Sequence, residues 1–411
     1  MTSPELGGSI SAAWDPKRLL IDAAAVLGLV LALGITFAVD RMTRASATGG
    51  QATGAQGKPS AAAQQGPAAV KASPLRLAVT LREYDDMGQL LASLGPGYRY
   101  RTIAFDDLLD ADRLAENDVV FLTCGGVPAE WLGRKLRPSE RDFGGVFEAR
   151  PEIVQKLKES LREYVRRGGT LYASDYRFQL LKLAFPEMVD PSRESRGEVQ
   201  TVLAQVVDPG LQKQLGATME LRFDKRAWYP AAFRGAEVTT YLTGPYQTID
   251  GRQLTGPLLV TFPFGEGTVI FTSFHNEAQN SQTELKLLRY LAFASVTAHE
   301  EALVRRTLRQ GGFSPTERNL LSASRENEPV RDAYECRRAG PLQFVLSFEN
   351  RGARLRLEVV GPDGDRHEKT GTWTFTIEVP QAAAGKWQYT ITPLEVPYKN
   401  FAFTLTVAEK G

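Results

Sequence analysis

The unit Gly168-Gly169-Thr170-Leu171-Tyr172-Ala173-Ser174-Asp175 constrains this chain more than any other stretch. Before it, Pro151–Arg167 carries apolar residues at Ile153, Val154, Leu157, Leu161, Tyr164 and Val165, the spacing of one helical face. Pro151 suits the first helical turn and the glycine pair suits the exit. Leu171–Ala173 then reads as a buried strand, and Tyr176–Phe185 as a second helix. In an open α/β sheet, a sharp turn after a buried strand stands where ligands and nucleophiles are presented.

The flanking sequence repeats the pattern. Leu75–Thr80, Tyr98–Ile103 and Asp118–Thr123 read as strands, and Asp86–Leu94 as a helix stopped by Gly95-Pro96-Gly97. The nearly continuous apolar run in Asp118–Thr123 belongs to a strand covered on both faces, as in a parallel sheet. Residues Pro186–Arg234 read as an insertion or lid, with Arg193–Val207 as helix or loop and Met219–Phe223 as a strand. Ala236–Leu242, Pro257–Phe262 and Thr268–Ser273 follow as strands, and Phe264-Gly265-Glu266-Gly267 as a hairpin turn between the last two. Glu284–Val296 closes the domain as an amphipathic helix. Strands alternating with helices of this length imply βαβ units and a mostly parallel sheet with helices on both faces.

At 411 residues the chain is long enough for two domains with accessory segments. Lys and Arg total 49 against 48 Asp and Glu, and no basic stripe is present, which argues against a nucleic-acid partner. After an N-terminal tail (1–18), residues Leu19–Val39 form an apolar run with one charge, Asp22; about 20 such residues span a bilayer. Ala45-Ser46-Ala47 offers a signal-cleavage site, but a signal core of about 7–15 residues is shorter than this run, favouring an uncleaved single-pass anchor. Lys17 and Arg18 on one side and Arg41 and Arg44 on the other leave orientation undecided by charge. A short tail before a large C-terminal body favours a cytoplasmic N-terminus and an extracytoplasmic (periplasmic) bulk. Residues 40–73, rich in Ala, Gly, Gln, Ser and Pro, read as a flexible tether. Cys124 and Cys336 fall in different expected domains and read as free thiols.

Beyond the α/β domain (74–298), residues 299–340 read as a connector: His299–Leu308 helical, Ser314–Val330 polar. From Leu342 the period changes to two, over Leu342–Phe348, Arg354–Val360, Thr372–Val379, Trp387–Thr392 and Phe401–Val407. Such strands, separated by Gly-containing turns, predict an antiparallel β-sandwich over 341–411.

Four stretches, DVVFLTCGG, the helix with GGTLYASD, GEGTVIFTSFH and the final helix, together resemble the class I glutamine amidotransferase-like superfamily, over Leu75–Val296. That resemblance implies a flavodoxin-like fold, shared with trehalose-utilisation-type proteins. Active members carry a nucleophilic cysteine at the strand-to-helix turn and a late His-x-Glu pair. Here His275 and Glu277 supply the pair, but the turn carries Ser174 and Asp175, so the thioester route is closed. Cys124 ends the earlier strand, which in the family supplies backbone near the oxyanion site. The stretch AAGKWQYTITP (383–393) resembles the strand entry of bacterial immunoglobulin-like and pre-peptidase-type sandwiches, which implies core positions for Trp373 and Trp387.

Three readings of the turn stay open. Ser174 or Asp175 could act with His275 and Glu277 as a hydrolase, although the Gly-x-Ser-x-Gly spacing is absent. The crevice could bind a ligand without chemistry, through Cys124, Gly125, Gly126, Asp175, His275 and Asn276. Asp175 could simply cap the next helix. The sequence predicts no metal site, since His275, His299 and His367 are far apart along the chain, and no cofactor, since no phosphate-loop or dinucleotide motif is present. The reading taken forward is a membrane-anchored, non-catalytic scaffold or a binder of a protein partner or small ligand. A hydrolase is the alternative.

Overall fold

The computed structural model describes residues 75–136, 143–323, 327–348 and 352–410. The expected anchor Leu19–Val39 and tether 40–73 lie outside the described residues. Among those described, no helix is long and apolar enough to cross a membrane.

The chain opens with β1 (Leu77–Thr80), α1 (Met87–Leu94), β2 (Tyr100–Ile103), α2 (Ala111–Ala115) and β3 (Val119–Leu122). A small ribbon, β4 (Val127–Pro128) with β5 (Phe143–Gly144), precedes α3 (Pro151–Arg166), β6 (Thr170–Ser174) and α4 (Phe178–Ala184). Then come β7 (Gln200–Val206), α5 (Pro209–Leu215), β8 (Thr218–Phe223), β9 (Thr239–Gln247), β10 (Gln253–Phe264), β11 (Gly267–Thr272) and α6 (Gln282–Gln310).

These strands make a nine-stranded sheet in the order β2-β1-β3-β6-β11-β10-β9-β7-β8. Its first five strands are mutually parallel, and their order reduces to 2-1-3-4-5, the flavodoxin-like arrangement. The four strands beyond β11 run antiparallel to their neighbours. Burial follows the pairing. Every residue of β1, β3 and β6 is buried, as expected between two helical layers, whereas β8 alternates exposed and buried along its length. The stretch expected as an insertion or lid therefore widens the sheet. Within it, Val202, Ala204 and Val206 alternate inward and make β7 a strand rather than a helix or loop.

Parity along the strands divides the core. On one face Val119, Phe121 and Tyr172 pack under α1 and α6, with Met87, Leu91, Leu287 and Leu291. On the other, Val120, Leu122, Leu171 and Ala173 pack under α3 and α4, with Leu157, Leu161, Phe178 and Leu181. Ser174 shares the parity of Tyr172, which sets the direction of its hydroxyl.

Helix α6 starts at a capping box in which Ser281 and Glu284 satisfy each other's backbone amides. It runs without a break through the expected helical end of the connector. Downstream, β12 (Phe313–Ala323), β13 (Val330–Cys336), β14 (Gly340–Ser347), β15 (Arg354–Val360), β16 (Arg366–Gly371), β17 (Phe375–Ala382), β18 (Gly385–Glu395) and β19 (Phe401–Lys410) form two four-stranded antiparallel sheets. Their orders are β12-β19-β14-β17 and β13-β18-β15-β16. The polar stretch Ser314–Val330 thus supplies most of a strand, β12, because β19 takes up its backbone groups along its whole length.

The two sheets share one apolar core containing Leu342, Phe344, Leu346, Leu355, Leu357, Val359 and Trp387. Trp373, expected beside Trp387, is 51% exposed. Strand β19 is buried at its first eight positions, with no alternation. Its outer face and that of β14 are covered too, since Val345 and Ala408 pack against Val304 and Leu308 of α6.

Arg318 of β12 fastens this layer to the α/β sheet. It pairs with Glu301 of α6 and donates Nη1 to Tyr290 Oη at 2.7 Å. Burial alone would depress the guanidinium, but the Glu301 carboxylate beside it holds it charged. Breaking such a buried pair from one side leaves an uncompensated charge, at about 3–5 kcal/mol. Glu301→Ala is therefore expected to lower unfolding free energy by about 3 kcal/mol or more in chemical denaturation. A loss below about 1 kcal/mol, the worth of a surface pair, would show that Arg318 is not fastened in this way.

Candidate functional site

The loops at the carboxyl ends of β1, β3, β6 and β11 meet at one point. The chain reverses its strand order between β1 and β3, and ligands in such folds bind outside the strand ends at that reversal. Glu83 and Asp85 arrive after β1, Cys124–Gly126 after β3, Ser174–Arg177 after β6, and His275 and Asn276 after β11.

Asp175 occupies the strand-to-helix turn with a left-handed φ of 43° and a fully buried side chain. A non-glycine residue in this region is strained and persists only where its surroundings over-determine it. The surroundings here do so. Asp175 Oδ1 accepts the Tyr229 amide at 2.8 Å, and Oδ2 lies 3.1 Å from His275 Nε2. Cys124 Sγ donates to the same Oδ2 at 3.6 Å. His275 Nδ1 in turn meets Asp224 Oδ1 at 2.7 Å.

The charges around the ring favour its protonated form. Burial works against an imidazolium, but the Asp175 and Asp224 carboxylates hold the His275 pKa well above the usual histidine range. Against partial burial, His275 likewise holds Asp224 below its ordinary value. Burial, and then the Asp175 charge, push the Cys124 thiol up to about 12. A histidine that keeps its proton cannot accept another, and a thiol so far from ionising is a poor nucleophile.

Ser174 points the other way, as its strand parity requires. Its Oγ donates to Asp85 Oδ2 at 3.0 Å and accepts the Cys124 amide at 3.0 Å. Asp85 is fully buried, and burial raises its pKa. Its Oδ1 accepts the amides of Asp86 and Asn276 at 2.9 Å and of Glu277 at 3.3 Å. Asn276 Oδ1 accepts Tyr172 Oη at 3.2 Å. Glu277 turns outward, its Oε1 2.7 Å from Arg82 Nη2. The structure therefore brings His275, Asp175 and Cys124 together and places Ser174 and Glu277 in other networks. The carboxylate on His275 Nδ1 is Asp224, not Glu277.

Above this buried layer lies an open cleft of ≈ 690 Å³. Gly125 and Gly126 line it, with Glu83, Tyr176, Arg177 and Tyr229. Cys124, Asp175, His275 and Asn276, all buried, do not line it. Arg177, only 1% exposed, donates Nε to Thr123 O at 2.7 Å and Nη1 to Gly126 O at 2.6 Å, while its buried Nη2 makes no hydrogen bond. Glu83 Oε2 accepts the Gly126 amide at 2.7 Å. A Cβ on Gly125 would lie 1.8 Å from that oxygen and 3.1 Å from Arg177 Nη2, so a side chain there would push Glu83 off the Gly126 amide.

Asp85, Asp224, Arg177 and Glu83 are absent from the sequence-derived candidates. For Asp85 and Glu83 a signal was present, acidic residues just beyond the carboxyl end of the first strand. Asp224 lies in the stretch read as a lid. The histidines' wide spacing gave no hint that Cys124, Asp175 and His275 place one ligand atom each within 4.8 Å of one another.

No family model matches the chain, and no curated protein matches it. Among solved structures, it is similar to a ThuA-like protein from Bacteroides uniformis, with TM-score 0.34 and 13% identity, over 56% of this chain and 93% of that one. It is also similar to a glutamine amidotransferase from Thermotoga maritima, with TM-score 0.32 and 11% identity, over 58% and 94%. PurLQS from the same organism matches with TM-score 0.32 and 16% identity, over 53% and 100%. At these values the fold assignment stands on the strand order.

Asp85 is the test of the buried layer. Asp85→Ala strips the acceptor from the Ser174 hydroxyl and from the Asn276 amide, at about 1–3 kcal/mol for each group left unpaired. A loss of about 3 kcal/mol is expected in chemical denaturation, with Asp85→Asn, which keeps one acceptor oxygen, losing about 1 kcal/mol. Equal losses in the two variants would show that these hydrogen bonds do not hold the layer.

Proposed function

We propose that this chain is a non-catalytic, glutamine amidotransferase-like protein that binds a small carboxylate ligand in the cleft above Asp175. It is anchored in the membrane by Leu19–Val39 with its bulk outside the cytoplasm. The turn where an active member keeps its nucleophile carries a carboxylate locked between His275 and a backbone amide. The general base beside it keeps its own proton. The C-terminal sheets, which resemble immunoglobulin-like modules at the Trp387 strand, serve as a spacer or a surface for a protein partner.

Glu83 is the observation that carries the ligand assignment. Its carboxylate rests on the Gly126 amide, beside the unsatisfied Nη2 of the buried Arg177. The protein's own side chain thus occupies a cradle made for a carboxylate, and a ligand carboxylate enters by displacing it. Charge-assisted bonds of this kind are about twice as strong as neutral ones, so the cradle selects anionic groups. The hydrolase alternative would need Asp175 as nucleophile, since Ser174 is held by Asp85. The protonated His275 disfavours it.

The test uses the full-length chain in detergent, with thermal unfolding followed across a panel of mono- and dicarboxylates and α-amino acids. At least one should raise the melting temperature, and Glu83→Gln should bind it about tenfold tighter, about 1.4 kcal/mol. Failure of every carboxylate to gain affinity from Glu83→Gln overturns the ligand assignment. Release of ammonia from glutamine, or ester hydrolysis lost in Asp175→Asn, overturns the non-catalytic reading. For topology, a reporter fused after Lys71 should be active only outside the cytoplasm, and cytoplasmic activity reverses the orientation.

A further inference from the structure

The cluster beneath the cleft has a feature that hydrogen bonding leaves unexplained. His275 is 3% exposed, and its Nε2 makes no hydrogen bond although Asp175 Oδ2 is 3.1 Å away. The nitrogen is close to the carboxylate oxygen that Cys124 Sγ also reaches, without hydrogen-bond geometry to it. A buried ring nitrogen lacking a well-formed hydrogen bond is costly. A metal ion shared by the three groups would satisfy it.

We propose that Cys124 Sγ, Asp175 Oδ2 and His275 Nε2 form a buried three-ligand site for a divalent transition metal of the zinc class. Tetrahedral zinc, with bonds of about 2.0–2.3 Å, sets its N and O ligands about 3.3 Å apart and its S and O ligands about 3.5 Å apart. Here the N–O separation is 3.1 Å and the S–O separation 3.6 Å. All three donor atoms lie within 4.8 Å of one another. A mixed sulfur, nitrogen and oxygen set suits zinc and its neighbours and disfavours magnesium or calcium, which take oxygen.

The outer contacts fit as well. Asp224 holds His275 Nδ1 at 2.7 Å and keeps a proton there, so the ion enters by displacing the proton on Nε2 and that of the Cys124 thiol, both released to solvent. A carboxylate on the far nitrogen of a metal-bound histidine is the usual supporting contact. The Tyr229 amide occupies Asp175 Oδ1 and leaves Oδ2 for the ion. A thiolate, a carboxylate and a neutral imidazole bring two negative charges to a dication, so the loaded site is neutral where charge is hard to bury. The ion ties the ends of β3, β6 and β11 together under the cleft floor. This site stands independently of the carboxylate proposal, because it lies in a different layer and its test needs no ligand.

The experiment is titration of the EDTA-treated full-length chain with Co2+ alone, read by absorbance, and with Zn2+ alone, read by affinity. One equivalent of Co2+ should give a thiolate-to-cobalt charge-transfer band in wild type and in Cys336→Ser, and none in Cys124→Ser. Asp224→Asn should weaken Zn2+ binding by about 10-fold or more. Absence of the band from wild type, or its persistence in Cys124→Ser, overturns the site. If Cys124→Ser does not fold, the Asp224→Asn affinity decides, and an unchanged value overturns the proposal.

Discussion

The backbone of Asp175 is the constraint on which this structure turns. A residue with a side chain sits at φ 43° between a buried strand and a helix, with both of its carboxyl oxygens contacted from other elements. The Tyr229 amide and His275 hold its two oxygens from the sheet extension and from the end of β11. One residue earlier, Ser174 ties the opposite face of the same turn to Asp85 and to the Cys124 amide. Four strand ends are thereby joined through two adjacent residues of opposite parity. Strain of this kind is retained at functional sites, where it presents a group in a fixed direction. Here the group presented is a carboxyl facing inward.

How much of this was legible in the sequence depended on distance along the chain. The parallel strands announced themselves because burial on both faces needs continuous apolar runs, and Val119–Leu122 and Leu171–Ala173 are such runs. The turn was found for the same reason, being the punctuation between two local patterns. The partners were not, since they are joined only in space: Asp85 is 89 residues from Ser174, and Asp224 is 51 from His275. A His-x-Glu spacing suggested Glu277 as the orienting carboxylate, but the turn after His275 sends Glu277 outward to Arg82. The stretch holding Asp224 was read as a lid because the inward alternation of Val202, Ala204 and Val206 is masked by Leu203 and Val207, apolar residues that face solvent.

The C-terminal sheets show a similar limit. Period-two alternation located most of their strands, since one face is dry and the other wet. Where α6 covers the second face the alternation vanishes, and β19 is buried at eight consecutive positions. At β12 the sequence is polar, with Glu317, Arg318 and Asn319, yet it forms a strand because its charges are matched across the boundary by Glu301 and Lys213. Tyr98 and Asn400 add a further tie, Tyr98 Oη donating to the Asn400 carbonyl at 2.6 Å. The two sheets and the α/β layer are thus fastened on more than one side of α6.

A cysteine placed at Asp175 would not by itself make a thioester-forming site. A thiolate there would have His275 beside it, and with one carboxylate gone the imidazole would give up its proton more readily, as a general base must. But tetrahedral chemistry also needs donors aimed at the developing oxyanion. The loop after β3 has its Gly126 amide occupied by Glu83. The Cys124 amide is likewise taken by Ser174. The Glu83 carboxylate on the first amide opposes the charge that the transition state would build, and the Ser174 hydroxyl leaves the second without a free donor. The residue at the turn and the occupation of the Gly126 amide are thus two separate obstacles to acyl-transfer chemistry at this crevice.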